Sequence, residues 1–386
     1  MIDAKISTPE LLELKKIQEL IEANGPCVTL LVPPYRPGEQ SKPLSIMIKN
    51  TIQVAQLQFS ERGIPESVVH DLLFPLEEIA RSPEGTSGTH WGQIVFRSPN
   101  VLRHFTLTEA AKPALFLGAY FEIRAILEEL DLPPEFYILK VTKKNIDLLR
   151  CTELQLASVR LPVGTPQTLE EAMEFEPPDH DLENRSTAGA SNGSMTAVRF
   201  GTGSGKETQH AYLADFFKAV DRGVRKILNG SDAPPLILAG VDEDTAMYRM
   251  VNNYPNLLAR SLSGSPAQGG DHEMLPRALA IVRSDRTARA AKSLLDARER
   301  LAPSRYATGL NGILTAAVEG RIARLYIDSA ARMYGVFEGK RRGERWGDED
   351  LLNVAAAETL LHGGAAFSLP SGRIPDGAPI AAILRY

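Results

Sequence analysis

The chain has few of the residues that crosslinks, metal cages and membrane spans require. Cys27 and Cys151 are its only cysteines, too few for a disulfide framework or for a zinc site built on cysteine. No apolar run approaches the roughly 18 residues of a membrane-spanning helix. The N-terminus begins Met-Ile-Asp-Ala-Lys, which is already polar and predicts no signal peptide. We therefore expect a cytoplasmic protein without membrane contact.

The known nucleotide-binding motifs are also missing from the most glycine-rich segment, residues 181–206. A phosphate loop ending at Gly205 and Lys206 needs a glycine at Phe200 and a hydroxyl residue at Glu207. A dinucleotide fingerprint needs its third glycine at the position of Lys206. Both motifs fail on spacing. The segment is predicted to be a long connecting loop, and we expect no nucleotide and no other cofactor.

What is present is the composition of a globular protein. Hydrophobic residues make up 43% and charged residues 24% of the 386 positions, and this length suits two or three domains. The formal net charge of −5 argues against a general nucleic-acid coat, but it leaves room for a local basic surface.

Hydrophobic periodicity predicts three successive α/β units. Residues 1–132 form the first, which we expect to end with a helix over 114–130 that Pro133 and Pro134 terminate. Residues 133–300 form the second, and residues 301–386 form the third.

The clearest elements of the later units follow from their patterns. In the second unit we predict strands at 136–141, 145–151 and 154–161, a strongly amphipathic helix over 213–228 and a buried strand at 235–240. In the third we predict strands at 321–328 and 365–369, and a helix at 351–361 with Asp348 as its N-cap.

Several segments resemble the bacterial relatives of the archaeo-eukaryotic class-1 release factors and Pelota. They include Cys27-Val-Thr-Leu-Leu-Val-Pro-Pro, Phe216-Phe-Lys-Ala-Val-Asp, Pro235-Leu-Ile-Leu-Ala-Gly-Val and Ile380-Ala-Ala-Ile-Leu-Arg-Tyr. The helix and strand over 309–326 and the helix over 350–365 share the likeness, which extends along essentially the whole chain.

The resemblance implies a fold for each unit and a partner for the protein. It implies a mixed α/β N-terminal domain, a middle domain with a ribonuclease H-like sheet, and a C-terminal α/β domain resembling a kink-turn-RNA-binding ribosomal protein. The implied partner is the ribosome and its RNA.

One departure from the family concerns activity. Release factors carry a Gly-Gly-Gln loop before the long helix of the middle domain, and the corresponding segment 181–206 has none. Gln268-Gly269-Gly270 has the same residues in reversed order and follows a different element. The sequence therefore favours a non-enzymatic factor in ribosome rescue, hibernation or protection. The alternatives are an enzyme, either a nuclease or a peptidyl-tRNA hydrolase using the middle domain, and a protein-interaction scaffold.

Basic loops supply the candidate RNA contacts. Arginine, lysine and tryptophan suit phosphate contact and base stacking, whereas the alternative interpretation is a solvated surface loop. The candidates from this chemistry are Lys340, Arg341, Arg342, Arg345 and Trp346. The resemblance adds Arg185, Arg199 and Lys206, which would contact ribosomal RNA if the middle domain docks as in the relatives.

No catalytic or metal-binding residue is assigned. The acidic groups at 179–183 and 271–273 are predicted to be solvated loops. Arg283, Arg286, Arg289 and Lys292 recur at helical spacing, and they predict a salt-bridged helix face.

Overall fold

A computed structural model describes most of the chain. The described residues are 14–23, 25–34, 41–81, 91–108, 113–142, 144–152, 154–175, 204–229, 233–264, 270–336 and 349–386. The chain divides into two compact units. Unit 1 combines Met1–Leu132 with Arg283–Tyr386, and unit 2 is Pro133–Val282.

The N-terminal part of unit 1 packs helices on an antiparallel sheet. Its elements are α1 (Leu14–Glu22), β1 (Cys27–Val32), α2 (Ser41–Glu61), α3 (Glu66–Arg81), β2 (Gly92–Arg97), β3 (Leu102–Leu107), β4 (Ala114–Gly118), a 3-10 turn (Ile123–Ile126) and α4 (Leu127–Leu130). The strand order is β3-β2-β1-β4, and every neighbouring pair is antiparallel. Phe59 of α2 and Leu76 of α3 are fully buried in the core that these helices share with β1.

The predicted helix over 114–130 is wrong. Residues 114–118 form β4, where Leu115 pairs with Leu30 and Phe116 pairs with Thr29 of β1. The apolar run forms ladder hydrogen bonds with β1 at the edge of the sheet, so tertiary pairing overrides its local helical pattern. Only the last residues of the predicted helix are helical.

Unit 2 is a five-stranded mixed sheet with helices. Its elements are β5 (Glu135–Val141), β6 (Ile146–Thr152), β7 (Gln155–Val159), α5 (Leu169–Phe175), α6 (Ser204–Leu228), β8 (Leu236–Gly240), α7 (Asp242–Val251) and β9 (Leu262–Ser263). The strand order is β7-β6-β5-β8-β9, with β5 parallel to β8, and β6 antiparallel to both of its neighbours. The predicted hairpin and the predicted buried strand are confirmed. The predicted loop 181–206 is too long at its end, since α6 begins at Ser204.

The rest of the chain returns to unit 1 through a long helix. Its elements are α8 (Gly270–Arg300), which begins in unit 2, then β10 (Tyr306–Ala307), α9 (Leu310–Val318), β11 (Ile322–Asp328), β12 (Tyr334–Gly335), β13 (Glu349–Asp350), α10 (Leu351–Leu361), β14 (Ala365–Leu369) and β15 (Ile380–Leu384). The sheet order is β10-β15-β11-β14, in which β11 and β14 are parallel. None of the helices in the described ranges is long and apolar enough to cross a membrane.

The N-cap of α10 also differs from the prediction. Asp350 is the cap, and its carboxylate accepts a hydrogen bond from the backbone N of Leu352 at 3.2 Å. Asp348 lies outside the described residues. A carboxylate immediately before the first helical residue satisfies an amide that the helix leaves unpaired.

A buried polar contact joins the N-terminal and C-terminal parts of unit 1. Asn353 on α10 accepts hydrogen bonds from the backbone N atoms of Ile123 and Arg124, and it donates one to the carbonyl of Phe121. The Arg124 guanidinium pairs with Asp350. The segments 1–132 and 301–386, predicted as separate domains, therefore share one compact unit that also includes residues 283–300.

Candidate nucleic-acid interface

The structure describes the side chain of none of the RNA-contact candidates chosen from the sequence. Lys206 lies in the first turn of α6, and its side chain is not described. The remaining candidates lie outside the described residues: Arg185, Arg199, Lys340, Arg341, Arg342, Arg345 and Trp346.

Unit 2 instead presents a wide cationic pocket at the C-terminal end of α6. Its volume is about 690 Å³. The α6 side supplies Ala219, Arg222, Gly223, Arg225, Lys226, Leu228 and Asn229. The other sides are formed by Val163, Gly164, Thr165, Ala233, Asn253, Tyr254 and Pro255. We call this set of residues the α6 pocket.

The helical repeat of α6 determines where its cations lie. Phe217, Val220 and Val224 are completely buried against the sheet. Arg222 and Lys226 are four residues apart and both exposed, so they project together from the outer side of the helix. Lys226 belongs to the last turn, where a positive charge interacts favourably with the helix dipole.

A buried carboxylate holds the base of the pocket in place. Asp221 is 1% exposed and accepts hydrogen bonds from Arg225 Nε at 3.0 Å and from the backbone N of Asn253 at 3.3 Å. The hydroxyl of Tyr248 lies 3.5 Å from the same carboxylate. Burial, reinforced by this carboxylate, raises the pKa of Tyr248 well above its usual value, so the phenol remains a neutral donor.

The loop after α7 is held by further hydrogen bonds. The Tyr254 hydroxyl donates to the carbonyl of Pro234 at 2.6 Å, and Asn256 donates to the carbonyl of Ala233 at 2.7 Å. Burial is the main cause that raises the pKa of Tyr254 to about 12. The residues of this side of the pocket are therefore positioned by contacts to the chain before β8.

A glycine allows the opposite side to close on the helix. A Cβ at Gly223 would lie 2.4 Å from Oγ1 of Thr165, so only glycine permits this approach. The turn that carries Thr165 needs Gly164 at a φ of 84°. The pocket is thus built from three segments of the sequence. The Thr165 turn lies about 60 residues before Gly223 of α6, and the loop with Asn253 lies about 30 residues after it.

The charges lining the α6 pocket are of one sign. Arg222, Arg225 and Lys226 line it, and none of the described lining residues is acidic. Arg225 is already paired with Asp221, whereas Arg222 and Lys226 are exposed toward solvent. Guanidinium and ammonium groups with neighbouring asparagine amides are the donors that phosphate oxygens accept. The arrangement suits binding of a phosphodiester backbone.

The arginines that the sequence did single out on α8 are ion-paired, as predicted. Arg289 pairs with Asp285 on the same helix at 2.6 Å. Arg283 pairs with Glu129 at 2.9 Å, and its partner belongs to α4 and not to its own helix. The periodicity of a single helix does not reveal such a partner.

The other residues considered for chemistry have ordinary surroundings. His362 is the C-cap of α10, where its Nδ1 lies 2.9 Å from the carbonyl of Glu358, as expected for a helix-end residue. Cys27 and Cys151 are buried thiols that form no disulfide bond with each other, and burial raises the pKa of Cys151 to about 12. Within the described part of the chain, no three His, Cys, Asp or Glu side chains are grouped to hold a metal ion.

The described residues thus define a mixed α/β protein whose second unit carries a cationic pocket. A family model described as bacterial archaeo-eukaryotic release factor family 3 matches residues 135–321, which include the whole α6 pocket. Residues 135–321 are therefore related to the bacterial relatives of the archaeo-eukaryotic release factors, and the resemblance seen in the sequence is confirmed.

Solved structures of release factors and Pelota proteins are also similar to the chain. The archaeal translation termination factor aRF1 has 13% identity and a TM-score of 0.26, with 97% of this chain and 99% of that chain covered. Archaeoglobus fulgidus Pelota has 15% identity and a TM-score of 0.35, with coverages of 78% and 80%. Dom34 of S. cerevisiae has 13% identity and a TM-score of 0.32, with coverages of 79% and 77%. No curated protein matches the sequence.

Proposed function

We propose that this chain is a ribosome-associated factor that binds the phosphate backbone of ribosomal RNA through the α6 pocket. The observation that carries the proposal is the charge of that pocket, which three cations and no described carboxylate line. The pocket lies within the residues that match the release-factor family model, which connects it with translation.

The proposed role is rescue, hibernation or protection of ribosomes, without peptide release. The sequence contains no Gly-Gly-Gln tripeptide, so the group that positions water in release factors is missing. A factor of this kind acts by occupying a site on the ribosome, and it is expected to work in the cytoplasm.

The proposed folds of the parts have support in the strand orders. Numbered within unit 2, the sheet reads 3-2-1-4-5 with its second strand antiparallel to the rest, as in ribonuclease H-like sheets. The C-terminal part has a four-stranded mixed sheet with two adjacent helices, α9 and α10, which suits the proposed likeness to a kink-turn-RNA-binding ribosomal protein. Fold likeness alone does not confer activity, so the function is argued from the pocket.

The direct test is sedimentation of the purified chain with ribosomes. Empty ribosomes and ribosomes stalled on a truncated message are each mixed with the chain at about 50 mM and about 200 mM salt, a range over which phosphate contacts weaken strongly. The proposal predicts co-migration at low salt that declines as salt rises.

Two results would favour one of the alternative functions. If the chain fails to co-migrate with either kind of ribosome at low salt, the proposal is wrong and a protein-interaction scaffold becomes the better account. If the chain instead hydrolyses peptidyl-tRNA or RNA with repeated turnover, and removal of residues 185–203 abolishes that turnover, the enzyme alternative is correct.

A further inference from the structure

Unit 1 contains a cavity that the proposed function does not use. Its volume is about 240 Å³, below the range of roughly 300–1,000 Å³ typical of sites for drug-sized molecules, so it suits a small ligand. It lies where the N-terminal and C-terminal sheets of unit 1 meet. Apolar side chains form much of its wall: Leu31, Leu107, Phe116, Ala125, Leu127 and Ile327.

Glu122 is the unusual polar group in this cavity. The residue is only 7% exposed, and its Oε1 atom is buried without a hydrogen-bond partner among the described residues. Its backbone N donates to Thr29 Oγ1 at 3.0 Å, which fixes the residue in place. Nη2 of Arg332 lies 4.0 Å from Oε1, beyond hydrogen-bond distance. A buried carboxyl oxygen in this position lacks a donor.

The neighbouring charged groups have nearer partners. The Arg124 guanidinium pairs with Asp350 and donates to the carbonyls of Asp328 and Ala331 at 2.9 Å. Arg332 donates to the carbonyl of Ala331 at 2.9 Å. Neither arginine donates a recorded hydrogen bond to Glu122.

The carboxyls across the cavity are held in the same way. Glu129 accepts hydrogen bonds from Thr108 and Arg283, and Glu128 accepts one from the hydroxyl of Ser368 at 3.2 Å. Three carboxyls and two guanidiniums line the cavity, Asp350 pairs with Arg124, and Arg283 pairs with Glu129. Four carboxyls therefore face three guanidiniums, and one negative charge is left over when Glu122 is ionised.

We propose that this cavity binds a small aliphatic amine, with the ammonium group donating to Glu122 and the alkyl body lying along the apolar wall. An ammonium group supplies both the donor that Oε1 lacks and the positive charge that balances the lining. Leu31, Phe116 and Ala125 are partly exposed, and they give up contact with water when an alkyl chain covers them, which favours binding.

Titration of Glu122 makes the affinity of the cavity for an amine depend on pH. Burial raises the pKa of Glu122 to about 7, Arg124 and Arg332 oppose this shift, and Asp350 adds to it. Glu128 and Glu129 face the same cavity. An alkylammonium ion binds the ionised form of Glu122, whose fraction rises from about a tenth at pH 6 to about nine tenths at pH 8. Binding is then about tenfold tighter at pH 8.

The test is isothermal titration of the full chain with cadaverine and n-pentylamine at pH 6 and pH 8, with 1-pentanol as the neutral probe. We expect both amines to bind with the tenfold pH dependence and 1-pentanol to bind at least tenfold more weakly. Absence of amine binding at millimolar concentration, or equal binding of the alcohol, contradicts the proposal.

Three variants test whether the amine binds in this cavity or at another acidic surface. Glu122→Gln removes the charge at constant size and is expected to weaken amine binding at least tenfold and to abolish its pH dependence. Ala125→Leu is expected to weaken it by filling the cavity while Glu122 stays in place. Glu319→Gln, an exposed carboxylate of unit 1 outside the lining, is the matched control and leaves binding unchanged. Binding by Glu122→Gln equal to that of the unchanged chain, with both proteins folded by circular dichroism, overturns the proposal.

Discussion

The side-chain amide of Asn353 accepts a hydrogen bond from the backbone N of Ile123 at 2.8 Å, across 230 positions of sequence. Both residues are buried, and the same amide also donates to the carbonyl of Phe121. This one side chain forms hydrogen bonds with three backbone groups in the segment between β4 and α4. It makes the C-terminal helix α10 part of the structure of the N-terminal region.

Asn353→Ala is expected to destabilise unit 1 strongly. The change removes three buried hydrogen bonds and leaves the backbone N–H of Arg124 without its acceptor, while Ile123 N and the Phe121 carbonyl keep only their mutual bond of 3.0 Å. We expect a cost of roughly 2–3 kcal/mol in the free energy of unfolding. Urea unfolding followed by circular dichroism measures it. Asn311→Ala, at an exposed position of α9, is the matched control and should change stability by no more than about 0.5 kcal/mol. Equal effects of the two substitutions would show that the Asn353 contacts are not formed.

Asp221→Ala is expected to destabilise unit 2. Removing this buried carboxylate leaves Arg225 and the backbone N of Asn253 without their acceptor, at a cost of about 2–3 kcal/mol, moderated because Arg225 is 42% exposed. Thermal unfolding measures the change. Asp215→Ala removes an exposed partner of Lys218 from the same helix and should have little effect. A small effect at both positions would contradict the anchoring role of Asp221.

Gly223→Ala tests the close contact between α6 and the Thr165 turn. The added methyl group would lie 2.4 Å from Thr165 Oγ1, and we expect a loss of about 1–3 kcal/mol in stability. At Gly312 in α9 a Cβ meets nothing within 4 Å, so Gly312→Ala should raise stability by about 0.5–1 kcal/mol. Opposite signs at these two helical glycines are the predicted result. A stabilising Gly223→Ala would show that the Thr165 turn does not pack there.

The raised pKa of Glu122 predicts a pH-dependent difference in stability. Its folded-state pKa is about 7, above the usual 4.5, so the folded protein holds an extra proton and loses stability as pH rises from about 4.5 to 7. Glu122→Gln removes this loss. The stability of the variant relative to the unchanged chain should rise by roughly 3 kcal/mol between pH 4.5 and pH 8. Urea unfolding of both proteins measures the difference, and a constant difference across this range would mean that Glu122 titrates normally.

Local sequence patterns predicted much of the fold. The strand at 27–32 is apolar except for Thr29, as suits its central place in its sheet, and the strand at 236–240 is buried on both faces. Helix α6 was visible from its apolar stripe alone. The strand at 114–118 was not, because its pairing with β1 involves residues more than 80 positions earlier.

The α6 pocket could not be predicted for a related reason. Arg222 and Lys226 have the spacing of any solvated helix face, and sequence alone assigns them no role. The two cations line a pocket because loops distant in sequence place Thr165 and Tyr254 beside the helix. The signal that was available is limited to Gly223, a glycine inside a strongly periodic helix, since such a glycine often marks a close packing contact.

The most direct test of the central claim is the salt dependence of ribosome binding by Arg222→Glu/Lys226→Glu. Arg260→Glu/Lys144→Glu is the control, because it makes the same charge change at two exposed positions of unit 2 that lie outside the pocket lining and outside α6. If the α6 pocket contacts RNA phosphates, the pocket variant binds about tenfold or more weakly, and its slope of log affinity against log salt is smaller by about 1.5–2. The control should then retain the binding and slope of the unchanged chain. Equal binding and equal slopes for all three proteins would contradict the claim.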